Sequence, residues 1–265
     1  MTRVLLFIAY LTTAVALSAQ HGGFREPGSL CELQSGNRCL SFDYWPVISA
    51  EEQSFDSAIV TIQELRHRVP SKAQKEMEKA EHARTGGRWD EAIAHYSRAI
   101  EIDQEFVAAR VNLAVVYMKS ADTAHAVAQL EAAIRIDPGN PVAIDDLTVT
   151  YIASRKFEAA ERAARLAANI DRTGRLPEVL LGIALVKQHK LTGEALKCLK
   201  RAHEEFPLAH LFSAEILMSQ GNREGAIGEI RTYLSVGTPR ARQFAADWLD
   251  LIEHDGLGKA IAAFR

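Results

Sequence analysis

The chain has 265 residues, 48% of them hydrophobic and 25% charged, with a formal net charge of -3. That is ample apolar material for an extended domain with a small extension. The weakly acidic balance gives no electrostatic case for nucleic acid or for an anionic membrane surface.

Met1 to Gln20 carries one early positive charge at Arg3, an apolar run from Val4 to about Leu17, and small residues at Ser18 and Ala19. This is the pattern of a secretory signal peptide cleaved after Ala19. The alternative is an uncleaved anchor, but roughly 14 apolar residues fall short of the ~20 that span a bilayer. No other stretch is apolar enough to cross a membrane, so the sequence predicts an exported (periplasmic or secreted) chain with no integral membrane segment after cleavage.

Residues 20 to 70 are rich in breakers (Gly22, Gly23, Pro27, Gly28, Gly36, Pro46) and show no helical period, which predicts an irregular extension. Cys31 and Cys39 flank a polar turn. In an oxidising compartment a disulfide between them closes a small loop, the alternative being two free thiols in a disordered tail. Phe42, Tyr44 and Trp45 form an aromatic cluster that is costly to leave in water, and Ala58 to Ile62 is β-prone. Ser71, after Val69 and Pro70, is placed to cap the first long helix.

From residue 71 the character changes. Val107 to Pro138 reads as two amphipathic helices joined by Ser120, Ala121 and Asp122. Leu113, Ala114 and Tyr117 fall on one side of the first, and Ala126, Leu130 and Ala133 on one side of the second. Asp137-Pro138 ends the pair, because proline cannot continue a helix.

Its neighbours repeat it at intervals of 34 residues. Ala92, Ala126 and Ala160 keep that step, as do Ala99, Ala133 and Ala167, then Ala80, Ala114, Thr148 and Gly182, and also Tyr117, Tyr151 and Leu185. In the fourth unit Ala195, Leu199 and Ala202 come one residue late, which predicts one extra residue in the turn near His189 to Gly193. A fifth unit follows Pro207 after a shortened link, and a sixth opens at Thr238-Pro239 with Phe244 and Trp248.

A two-helix unit of this period, with small residues where helices cross and aromatics between them, resembles the tetratricopeptide repeat (TPR) family, most strongly over residues 73 to 202. The resemblance implies an all-α fold: an α-α superhelix of about five and a half helix-turn-helix units over residues 71–265, preceded by the signal peptide (1–19) and the extension (20–70). It also implies a concave face lined by the first helix of each pair. Subtracting the residues that pack within a unit leaves Met77, Val111, Val115, Met118, Lys119, Val149, Ile152, Val179, Ile183, Val186, Lys187, Leu211 and Met218 as groove candidates, with Glu81, Arg84, Val142, Asp145 and Glu215 nearby. A mostly apolar strip with flexible methionines suits an amphipathic helix or an extended apolar peptide.

Some family members clamp a C-terminal carboxylate with lysine, asparagine and arginine. Here only Asn112 matches such a position, while Met77, Glu81, Val142 and Asp146 stand where the others belong, so that use is not expected. No catalytic residue, cofactor or metal is expected either. The nine histidines are scattered with no HExxH, there is no phosphate-cradling glycine loop, and Cys198 sits on a repeat helix as a small core side chain. The leading reading is a non-enzymatic scaffold that binds a protein or peptide in the groove. An alternative places the function in the disulfide-closed segment 20–70, with the repeats as passive support.

Overall fold

The computed structural model describes residues 67–237 and 239–255. The expected signal peptide, the Cys31–Cys39 pair, the aromatic cluster at 42–45, the β-prone segment and the chain after 255 lie outside the described residues. Within them there are eleven helices and no strand. They are α1 (Ser71–Thr85), α2 (Trp89–Ile102), α3 (Val107–Lys119), α4 (Thr123–Ile136), α5 (Pro141–Ala153), α6 (Phe157–Ile170), α7 (Arg175–Lys187), α8 (Gly193–Ala202), α9 (Ala209–Ser219), α10 (Arg223–Val236) and α11 (Pro239–Asp255).

The 34-residue step is written into the backbone as well as the side chains. In each hairpin turn one residue takes the left-handed conformation: Gly87, Ala121, Arg155, His189 and then Gly221, with φ of 71°, 59°, 59°, 57° and 76°. Beside it the same closing bond recurs, from Arg88, Asp122, Lys156, Lys190 and Asn222 amides to the carbonyls of Ala83, Tyr117, Tyr151, Leu185 and Leu217, at 2.8 to 2.9 Å. This is the bond that satisfies orphan carbonyls at a helix end when the next residue turns left-handed. The helix that follows is capped by a side chain in several units. Asp122 accepts from the amide of His125, Thr192 from Ala195 and Asn222 from Gly225. At the start of α5, Asn140 accepts from Ala143 at 2.9 Å, with Pro141 at the first helical position.

The first helix departs from its expected cap. Pro70 holds the N-cap position without a side-chain bond, and Ser71 is the first helical residue. Proline's fixed φ suits that entry, here -59°, and its carbonyl accepts from Gln74 at 3.1 Å, so the helix begins one residue earlier than a serine cap requires.

Alanines at the repeated small positions are fully buried, among them Ala80, Ala92, Ala99, Ala114, Ala126, Ala133, Ala160 and Ala167. At Gly182 even a methyl group is too much, because a Cβ there would lie 2.7 Å from Leu199 Cγ. Small residues let helices approach, and the larger Leu113, Leu130, Tyr96 and Leu199 fill the space beside them, buried to 2% exposure or less. One apolar cluster runs from Val107 on α3 to Ile252 on α11, and two smaller clusters join α1 and α2 to α3. Each hairpin therefore buries surface only against its neighbours, as in a solenoid.

The fourth unit differs where the sequence predicts, but its turn, residues 188–192, is two residues longer than the three of the other hairpins, not one. The turn closes on Lys190 as elsewhere, but the cap is Thr192 rather than the closing residue, and α8 buries Ala195, Leu199 and Ala202 in the displaced register. The shortened link is realised by loss of the last turn of α8, which has 10 residues where α2, α4, α6 and α10 have 14.

Candidate functional site

Beyond the contacts between consecutive helices, α3 meets α5, α5 meets α7 and α7 meets α9; no two even-numbered helices make a comparable contact among the described residues. The first helices of the pairs thus form the inner row of the superhelix, where the sequence places the groove.

The groove candidates divide sharply. Val111, Met118, Val149, Ile152, Val179, Ile183, Val186, Leu211 and Met218 are buried, none more than 7% exposed. Only Met77, Val115, Lys119 and Lys187 keep partial exposure. The expectation of an open apolar strip is corrected to that extent: α5, α7 and α9 are buried on nearly every side, including Asp145, Asp146, Thr148 and Thr150 on α5. Thr148 and Thr150 satisfy their hydroxyls by donating to the carbonyls of Ile144 and Asp146 one turn back.

At its N-terminal end the inner row is polar. Glu81 accepts from the Tyr96 hydroxyl, from Asn112 Nδ2 at 2.9 Å, and from Arg84 Nε and Nη2 at 2.9 and 2.7 Å. Asn112, the one residue matching a carboxylate-clamp position, is thereby turned toward a carboxylate of its own chain. Burial, with the charge of Arg84 nearby, lowers the Lys119 ammonium below its ordinary value. At the other end Lys187 Nζ stands 5.4 Å from the centre of the Phe212 ring. One turn on, burial pushes the Glu215 carboxyl upward, opposed by the Lys187 charge, and its Oε2 is buried without a hydrogen bond. An apolar middle with acid–base pairs at both ends can hold a polypeptide segment in one direction.

The comparisons agree with this architecture. A profile described as "TPR repeat" matches residues 84–120, and one described as "Tetratricopeptide repeat" matches residues 107–140. The chain carries tetratricopeptide repeats. Among solved structures similar to it are MamA from Desulfovibrio magneticus RS-1 (TM-score 0.59, 12% identity, covering 64% of this chain and 97% of that one) and PilF of Pseudomonas aeruginosa (TM-score 0.58, 17% identity, 72% and 88%). A third is YrrB, described as a TPR protein with an unusual peptide-binding site (TM-score 0.55, 18% identity, 66% and 91%). At these identities the likeness shows the fold. No curated protein matches the sequence.

The scattered histidines are not all at the surface. Of the seven whose side chains are described, His82, His125 and His189 are exposed, whereas His67, His95 and His203 are half-buried and His210 is buried. His67 Nε2 lies 2.8 Å from Asp103, and His95 Nδ1 lies 2.7 Å from Glu76. His210 Nδ1 lies 2.6 Å from Glu229, at the same separation of 19 residues that joins His95 to Glu76, so one cross-hairpin position is reused with acid and base exchanged. Burial, and then the neighbouring His210, hold the His203 imidazole down at about 4. Cys198, the only free cysteine among the described residues, packs against the main core, and burial raises its thiol. A thiol raised in this way is a poor nucleophile.

Proposed function

We propose that this TPR protein is a non-enzymatic, exported scaffold that holds a segment of another protein or a peptide along its inner row. The observation that carries the reading is the inner line of first helices, packed in sequence from α3 to α9 and joined to α1 through Asn112 and Glu81, apolar in the middle and charged at both ends, with Met77, Val115, Lys119 and Lys187 partly exposed along it. The raised thiol of Cys198 and the full burial of Ser213, which meets His203, favour binding over catalysis. The YrrB description supports a peptide as the class of ligand. The apolar segment behind Arg3 supports export.

The test is site-specific photo-crosslinking with the full chain in its native envelope fraction. A crosslinking side chain at Val115 or Lys119 is expected to give discrete adducts, and the same group at Ala128, exposed on α4, to give none. Equal adducts from both faces, or adducts from Ala128 alone, would remove the inner row as the binding surface.

A further inference from the structure

We propose that His203, His210 and Glu229 bind a divalent transition cation, best suited to zinc, at the junction of the fourth and fifth units. Each residue offers a ligand atom, and these atoms lie within 4.8 Å of one another. Glu229 Oε2 is the shared point: it stands 2.6 Å from His210 Nδ1 and 3.8 Å from His203 Nδ1. The two imidazole rings face each other with centroids 3.8 Å apart. All three side chains are shielded but not sealed, at 15%, 11% and 15% exposure, so an ion can enter and still be held largely out of water.

The geometry that an ion requires lies between the distances present. Zinc bonds to nitrogen and oxygen of about 2.0–2.2 Å in a tetrahedral arrangement put ligand atoms about 3.3 Å apart. The observed 2.6 Å must open and the observed 3.8 Å must close, each by less than 1 Å, and the two histidine nitrogens, within 4.8 Å of each other, must close by at most about 1.5 Å, which side-chain rotation supplies. The other nitrogen of His203, Nε2, lies 2.9 Å from Ser213 Oγ. When Nε2–H donates to that hydroxyl, Nδ1 is left with its lone pair facing the Glu229 oxygen across 3.8 Å. Two acceptors facing each other in a half-buried place repel, and a cation between them turns the repulsion into coordination. Ser213, itself fully buried, is the outer partner that orients such a ligand.

Two imidazoles and one carboxylate favour zinc, cobalt or nickel over calcium and magnesium, which prefer oxygen alone. Three protein ligands leave a fourth position for water or for a donor from a partner. Because His203 ends α8 while His210 and Glu229 belong to the α9–α10 hairpin, the ion fastens one unit to the next at the place where the repeat step is broken.

The experiment uses the full chain without an affinity tag, stripped with a chelator and titrated with Co2+ and then Zn2+. One equivalent of Co2+ is expected to give visible d–d bands of tetrahedral intensity, bleached by one equivalent of Zn2+, and Zn2+ is expected to raise the unfolding midpoint by several degrees. Glu229→Gln and His203→Gln should each weaken uptake at least about tenfold, and Ser213→Ala by about tenfold. His125→Gln, at an exposed histidine beside Asp122, should leave it unchanged. No saturable uptake by the wild-type chain overturns the proposal, as does uptake by folded Glu229→Gln and His203→Gln equal to wild type. If those two variants fail to fold, the Ser213→Ala chain decides: weakened bands support the site, and wild-type bands overturn it.

Discussion

The first three units and the junction between the fourth and fifth solve the same problem by different means. From α1 to α6 the step is constant, the turn is three residues, and alanines set how closely helices cross. Between Lys187 and Ala209 the turn lengthens, α8 gives up its last turn, and Phe206 and Leu208 are buried in the link, while Gly182 on α7 stands where the first two units have alanine. The regular units show that small residues at fixed spacing are enough to stack hairpins. The junction shows that the spacing can slip when a bulkier plug and a tighter crossing restore the contact, and that the slip draws polar side chains into the gap.

The sharpest way to break this comparison is to remove equivalent leucines from each side. Leu130→Ala and Leu199→Ala delete fully buried side chains at matching places and should each cost about 2–5 kcal/mol in chemical denaturation. A much smaller loss at Leu199 would mean that the displaced register is loosely packed. Next in size is Gly182→Val, which drives a branched side chain into Leu199 and should cost about 1–3 kcal/mol. Gly228→Ala, where a Cβ meets nothing within 4 Å, should instead gain about 0.5–1 kcal/mol. Thermal melts of the two variants should therefore move in opposite directions.

Caps come third. Asn140→Ala, at a buried cap with a 2.9 Å bond, should lose about 1 kcal/mol. Thr192→Ala, whose bond is 3.3 Å and whose side chain is exposed, should lose less. The smallest effect concerns Glu161, which the Lys190 ammonium, with Gln188 and Arg165, holds down at about 2. Its folded value lies below the ordinary one, so its contribution is present above about pH 4.3 and fades as pH falls toward 2. Glu161→Gln should flatten the acid side of a stability–pH curve by a small amount, because solvent screens this pair.

The sequence discloses the repeat because helix packing positions recur at one step: Leu113, Ala114 and Tyr117 and their equivalents are legible by subtraction, and even the late register at Ala195 shows. It does not disclose the partners of polar side chains. Glu81 meets Asn112 across 31 residues and His210 meets Glu229 across 19, distances fixed by how one helix lies against another and by no local motif. A search for histidines at metal-ligand spacing along the chain misses His203, His210 and Glu229, since two helix ends and a separate helix bring them together. Burial of the inner row was hidden for a related reason. A period of 3.6 marks one apolar face, whereas α7 and α9 are apolar nearly all round, so their sequence does not say which face is free.

Among the described residues the inner helices α3 to α9 touch one another in sequence, while the outer ones make no comparable contact, α6 and α8 meeting only through side chains at Arg165 and Glu194. Mechanically this makes a packed spine on one side and looser joints on the other. Bending the rod tighter or slacker alters the gaps between outer helices far more than it disturbs the spine, so curvature is its soft coordinate. A guest that wedges the spine apart at one level is then felt as a change of pitch along the whole rod.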